Sequence, residues 1–214
     1  MMALTDAFAL FGITAALCAG AAYLCRLRGN NVATQPFGFG GWTKAWISVL
    51  FVAMLVPIPG TGVPFAGYVR GFIGDLSITL MALSILALCH RLFGAVAISR
   101  RELTALLVVV GTAAFLLYPT ALGWGDWDAY RLGWGSWWIL SVLLLLTAAC
   151  AWMGLRVLPA MVALALLAWS LELLESGNLW DYLLDPWLSA YALGFVFIKS
   201  ARIALKRFVY RSSH

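Results

Sequence analysis

Seven long apolar runs dominate the sequence, and they constrain the fold more than any motif does. The runs are about 18 to 22 residues long, which is the length of α-helix that spans a hydrocarbon layer of about 30 Å. The predicted spans are 5–25, 44–58, 76–97, 103–122, 136–155, 157–175 and 186–205. The sequence therefore predicts an all-α fold, a polytopic transmembrane helical bundle of about seven spans.

Composition supports this class. Of the 214 residues 64% are hydrophobic and 11% are charged, whereas a soluble domain carries roughly 25% charged residues. The connecting segments 26–43, 56–75, 123–135 and 176–185 are too short to fold alone. We therefore expect residues 1–214 to form a single transmembrane domain with no independent soluble domain.

The charged residues predict the orientation. With these spans, all of the 14 Lys and Arg residues except Arg70 and Arg131 fall on one side of the membrane. By the positive-inside rule that side is the cytoplasm, so the N-terminus lies outside and the C-terminus inside. The net charge of +5 is thereby explained as a cytoplasmic rim next to membrane lipid, and no nucleic acid is expected as a partner. All nine acids except Glu102 are assigned to the outer side.

One stretch, "VPIPGTGVPFAGYVRGFIGDLS" at residues 56–77, interrupts the apolar pattern. Counted from Trp46, the second span reaches Pro57 after about 11 residues, or roughly 17 Å of helix, which is too short to cross. We expect segment 56–75 to continue in non-helical form, and irregular backbone at that depth is tolerated only inside protein or around a wet cavity. The sequence therefore predicts an outward-opening polar recess.

Within this stretch Tyr68, Arg70 and Asp75 are candidate ligand-binding residues. The planar fork of an arginine matches the oxygens of a phosphate or a carboxylate, although an outer arginine can also serve as a headgroup anchor. Asp75 precedes "LSIT", a position where an aspartate is typical of a helix N-cap. Both interpretations of Arg70 and of Asp75 stay open.

Two further candidate ligand-binding residues, Arg131 and Glu172, lie in the other outer segments. Glu172 is predicted to lie about one turn inside the end of its helix, where a charge in apolar surroundings is costly. It is expected to pair with Arg70 or Arg131, either as part of a binding site or as a structural ion pair. Capping accounts for other polar residues, since Ser136 and Asp185 precede the last-but-two and the last span.

The stretches "YVRGFIGDLS" and "NLWDYLLDPWL" are similar to stretches of uncharacterised polytopic inner-membrane proteins of bacteria. The resemblance implies a multi-pass protein of the bacterial inner membrane. It brings no activity, substrate or site residue with it.

Three function classes are compatible with these features. The first is an integral membrane accessory or interaction subunit, for example in envelope lipid or glycan assembly, with another membrane protein as its partner. The alternative is an enzyme or binding protein acting on an outer-leaflet lipid that bears a phosphate. The third is a small transporter or channel. The four cysteines form no C-x-x-C and there are two histidines, so we expect no metal site and no cofactor.

Overall fold

The computed structural model describes residues 2–28, 40–95 and 97–212, and all regular structure within them is helical. The helices are α1 (Met2–Arg28), α2 (Gly41–Leu55), α3 (Phe65–Ile73), α4 (Ile78–Phe93), α5 (Arg100–Ala121), a 3-10 helix (Ala129–Gly133), α6 (Trp137–Trp152), α7 (Val157–Ser170), α8 (Leu179–Leu183) and α9 (Pro186–Ser212). The predicted all-α fold is confirmed for this part of the chain. The predicted loop 26–43 lies largely outside it, because residues 29–39 are not described.

Three of the helices are long and apolar enough to cross a membrane, namely Leu4–Cys25, Arg100–Ala121 and Pro186–Leu205. They correspond to the first, fourth and last predicted spans. The other four predicted spans are apolar helices of 14 to 16 residues. The structure thus supports a membrane protein with three membrane-length helices.

The chain divides into two compact units. The first consists of the described residues of Met1–Ala97 and Ala163–Leu183, and the second of those of Ile98–Val162 and Leu184–His214. In the first unit α1 packs against α2, α3 and α4, and α4 also packs against α8. Gly12 of α1 makes room for the side chain of Met81 of α4, because a Cβ at Gly12 would overlap it. In the second unit α5 packs along α9.

Short polar side chains cap the N-terminal ends of several of these helices. Ser136 and Asp185 accept hydrogen bonds from the N–H groups of Trp138 and Leu188, so both predicted caps are confirmed. Of the two interpretations of Asp75, the helix cap is wrong. Ser77 caps α4 instead, accepting from the N–H of Leu80 at 3.2 Å, which leaves the Asp75 carboxylate to other partners.

Segment 56–75 was expected to be non-helical, but its second half forms the helix α3. The chain reverses tightly between Pro57 and Pro64, which form an isolated antiparallel bridge, with the N–H of Ile58 donating to the carbonyl of Val63 at 3.1 Å. The expected non-helical path then gives way to the nine-residue helix α3. Pro64 sits just before its first turn, where a missing N–H costs nothing, and this favours helix initiation despite the glycines that follow.

Candidate functional site

Arg70 lies among three carboxylates in the first unit. Its Nε donates to Oδ1 of Asp75 at 2.6 Å, and its Nη2 donates to Oδ2 of the same carboxylate at 3.2 Å. Nη2 also donates to Oε1 of Glu175 at 2.7 Å, and Nη1 donates to Oδ1 of Asp6. We call these four residues the arginine cluster. Every nitrogen of the guanidinium is thus engaged by a carboxylate oxygen.

The four side chains come from separate parts of the chain. Asp6 lies near the beginning of α1, Arg70 in the last turn of α3, and Glu175 in the loop between α7 and α8. Asp75 follows Gly74, whose φ of 75° lies in the left-handed region that favours glycine, so the chain can turn back toward Arg70 there. The cluster therefore ties together the beginning of α1, the end of α3 with the turn after it, and the loop between α7 and α8.

The members of the cluster differ in burial. The side chains of Arg70 and Asp75 are 17% and 19% exposed, whereas those of Asp6 and Glu175 are 51% and 69% exposed. The two-bond pair with Asp75 is therefore the sheltered part of the cluster, and solvent screens the other two ion pairs more strongly. The hydrogen bond to Asp75 raises the pKa of Arg70, burial lowers it, and Asp6 raises it further, with a net increase. Arg70 is a cation at every accessible pH.

The three carboxylates that bind the guanidinium limit which ligands Arg70 can recognise. One guanidinium faces three carboxylates, so the cluster carries an excess of negative charge. A phosphate would have to displace carboxylates from the fork and enter a negative field. The geometry thus favours a structural clamp and counts against phosphate recognition at Arg70. Among the described residues, no group of three or more His, Cys, Asp or Glu side chains is arranged to hold a metal ion.

Tyr182 of α8 fixes the loop that carries Glu175. Its hydroxyl donates to the carbonyl of Leu174 at 3.3 Å and accepts from the N–H of Leu174 at 3.2 Å. The side chain of Tyr182 is fully buried, and this burial raises the pKa of the phenol. Because Glu175 directly follows Leu174, the pair of bonds holds its backbone in place next to Arg70.

The helical placement predicted for Glu172 is wrong. Helix α7 ends at Ser170, and Glu172 is an exposed turn residue with a φ of 52°, in the left-handed region that a non-glycine residue rarely adopts. The indole of Trp169 donates to the carbonyl of Gly177 at 2.8 Å, which folds the chain back just after the helix. Glu172 was expected to pair with Arg70 or Arg131, and it is Glu175 that forms an ion pair with Arg70.

The other two candidates lie apart from the cluster's contacts. Tyr68 is two residues before Arg70 on α3, about 200° around the helix, and is exposed together with Phe65 and Phe72. Arg131 belongs to the second unit, where it is an exposed residue of the 3-10 helix. Of the candidates proposed from the sequence, the structure joins Arg70 and Asp75.

Sequence reasoning missed three residues that the structure uses. Asp6 and Glu175 complete the arginine cluster. The count of charges gives a signal for them, since the two basic residues predicted on the outer side need acidic partners. The third is Glu102 of the second unit. Its Oε1 accepts from the N–H groups of Arg156 and Val157 at 2.8 and 3.3 Å and so caps the beginning of α7. No local pattern links residues that are so distant in the chain.

Comparison of the chain with protein-family models, with curated proteins and with solved structures finds no match.

Proposed function

We propose that the protein is a multi-pass protein of the bacterial inner membrane, with seven crossings, the N-terminus outside and the C-terminus inside. Three helices of membrane length support a membrane location. The four shorter apolar helices, of 14 to 16 residues, measure about 21–24 Å, and local bilayer thinning can accommodate such a mismatch. The orientation rests on the uneven distribution of the 14 basic residues.

Reporter fusions test this topology. A fluorescent protein that folds only in the cytoplasm, fused after His214, is expected to fluoresce, and the same reporter before Met1 is expected to stay dark. An alkaline phosphatase reporter should give the reciprocal result. A fluorescent N-terminal fusion would contradict the orientation and would favour an even number of crossings.

Within that membrane we propose the role of an accessory or interaction subunit that binds another membrane protein. The arginine cluster supports this proposal, because the ionisable side chains of Arg70 and Asp75 bind each other and are not available to a ligand. We infer that the cluster stiffens this end of the first unit, including α3. On another face of α3 lie the exposed aromatic residues Phe65, Tyr68 and Phe72, the last of which is 88% exposed. Exposed aromatic side chains on a rigid element are the kind of group that anchors a protein interface.

Purification in a mild detergent followed by mass analysis tests the proposal. A membrane protein is expected to co-purify with the wild type in a fixed ratio and to be lost from the Tyr68→Ala/Phe72→Ala variant. Trp42→Ala/Trp46→Ala is the matched control, since it removes two exposed aromatic side chains from α2. Loss of the partner from both variants, or a wild type that purifies alone, would contradict the role assigned to α3.

A further inference from the structure

A groove in the second unit combines cations with apolar walls. It has a volume of about 390 Å³ and is lined by Thr104 of α5 and by five residues of α9, which are Phe195, Ile198, Lys199, Arg202 and Ile203. The two helices approach closely at Gly111, where an added Cβ would lie 3.2 Å from the carbonyl oxygen of Ala192. The groove therefore lies beyond this contact, toward the beginning of α5 and the end of α9.

The groove is amphipathic along α9. Lys199 and Arg202 are three residues apart, so their side chains lie on one side of the helix about 4.5 Å apart along its axis. The Nζ of Lys199 lies 5.8 Å from the ring centroid of Phe195, which links the cationic part of the groove to its apolar part. Within the described part of the chain, neither Lys199 nor Arg202 forms an ion pair with a carboxylate. A ligand with an anionic group and a hydrocarbon chain matches this surface.

The position of the cations matches the depth of a lipid headgroup. Both groove helices are of membrane length. From Pro186, the beginning of α9, Lys199 and Arg202 lie about 20 and 24 Å along the axis, in the far third of a hydrocarbon layer of about 30 Å. Long basic side chains extend from such positions to the phosphate level while their stems stay in apolar surroundings. Phe195 and Ile198 then face acyl chains.

Charge complementarity selects the kind of lipid. The acid nearest to Thr104 in the sequence, Glu102, has one carboxylate oxygen committed to the backbone N–H groups of Arg156 and Val157. The groove lining itself contains no acidic side chain. A zwitterionic lipid would bring a headgroup cation to a site that already holds two cations, whereas an anionic phospholipid brings a net negative charge.

We propose that the groove between α5 and α9 binds an anionic phospholipid of the cytoplasmic leaflet, with Lys199, Arg202 and the hydroxyl of Thr104 around its phosphate and Phe195 and Ile198 along an acyl chain. The inference rests on the proposed membrane crossing of α5 and α9. It adds a specific lipid class and a site to that proposal.

Native mass spectrometry of the detergent-purified full chain tests the groove. Phosphatidylglycerol and phosphatidylcholine with identical acyl chains are titrated separately. Phosphatidylglycerol is expected to bind at least fivefold more tightly, and Lys199→Gln/Arg202→Gln is expected to weaken its binding about tenfold or more. The matched control, Lys44→Gln/Arg156→Gln, removes one Lys and one Arg outside the groove and is expected to bind like the wild type. Inorganic phosphate is expected not to displace the lipid.

Three results would overturn the groove assignment: equal binding of the two lipids by the wild type, equal weakening in both double variants, or displacement of the lipid by inorganic phosphate. Far-UV circular dichroism checks that the variants fold. If the double variant does not fold, Arg202→Gln replaces it, because Arg202 is exposed, with an expected weakening of about fivefold. Alkaline carbonate extraction tests the membrane proposal separately: a wild type that stays in the membrane but binds both lipids equally refutes only the groove.

Discussion

Arg70 and Asp75 form a two-bond ion pair, with Nε donating to Oδ1 at 2.6 Å and Nη2 donating to Oδ2 at 3.2 Å. They are five positions apart in the chain, and Gly74 supplies the left-handed turn that brings them together. The same guanidinium reaches Asp6 on α1 and Glu175 in the loop after α7. The local ion pair with Asp75 thus positions Arg70 for its two long-range ion pairs. This geometry predicts how substitutions in the arginine cluster change the stability of the protein.

Arg70→Ala is expected to lower the free energy of unfolding in detergent by about 1.5–3 kcal/mol, because it removes hydrogen bonds to charged groups and leaves three carboxylates facing one another. Arg70→Lys should recover part of this loss, since it restores the charge but not the planar fork. Unfolding by a denaturing detergent, followed by tryptophan fluorescence, measures both. The control is Arg131→Ala, an exposed arginine of the second unit. Equal stability of the Arg70→Ala and Arg131→Ala variants would refute the clamp.

The three carboxylates should contribute unequally. Asp75→Asn is expected to destabilise more than Asp6→Asn or Glu175→Gln, because Asp75 is 19% exposed and accepts two bonds from Arg70. The effect of Glu175→Gln should shrink to a few tenths of a kcal/mol at ~1 M salt, where the screening length is ~3 Å. The effect of Asp75→Asn should persist. A reversed ranking, or full salt sensitivity of the Asp75 substitution, would count against the geometry described.

Tyr182→Phe is expected to cost about 1–3 kcal/mol, because it leaves the buried N–H and carbonyl of Leu174 without their partner. Burial raises the pKa of Tyr182 above its ordinary value of 10.0, so the neutral phenol is favoured in the folded protein. The contribution of neutral Tyr182 to the free energy of unfolding is therefore constant below about pH 10. It is lost as the pH rises through the higher pKa that Tyr182 has in the folded protein. The stability difference between the wild type and Tyr182→Phe should therefore narrow only in strongly alkaline solution.

The exposed Tyr68 provides the matched control for the loss of a phenol hydroxyl. At neutral pH Tyr68→Phe should have nearly the stability of the wild type. A difference between the wild type and Tyr182→Phe that narrows well below pH 10 would show that another group causes it.

Ser77→Ala is expected to destabilise α4 by about 1 kcal/mol, since the Ser77 hydroxyl caps the N–H of Leu80. In an Arg70→Ala background, Asp75→Asn should no longer destabilise and should relieve part of the repulsion among the three carboxylates, because Asp75 acts through Arg70 and not as a cap. Thermal unfolding of the single and double variants gives the coupling energies. An undiminished effect of Asp75→Asn in that background would restore the capping interpretation.

Local sequence patterns are sufficient where a single residue can fill a structural role. Apolar length predicted the positions of the membrane-length helices, and Ser136 and Asp185 were recognisable as caps because no other polar residue competes at those positions. At the beginning of α4 both Asp75 and Ser77 could cap, and the choice depends on an arginine five residues earlier. A capping pattern read from neighbouring residues does not take account of an ion pair that removes one of the two possible caps.

The misplacement of Glu172 has a different cause. Its helix ends where the Trp169 indole reaches the carbonyl of Gly177, and the following turn is held by the pairing of Tyr182 with Leu174. Both are contacts across a loop and leave no periodic signature. The sequence predicted that Glu172 pairs with Arg70 or Arg131, but the fold of the loop brings Glu175 to Arg70 instead.

The arginine cluster also orders events during synthesis of the chain. Asp6 precedes Arg70 by 64 residues, Asp75 follows it by five, and Glu175 follows it by 105. A nascent chain that has emerged only as far as α6 therefore holds the arginine with two of its three acids. The first unit is completed only after most of the second has left the ribosome, because residues 163–183 belong to it. Because Glu175 is synthesised last of the four residues, the arginine cluster and the packing of the first unit are completed late in biogenesis.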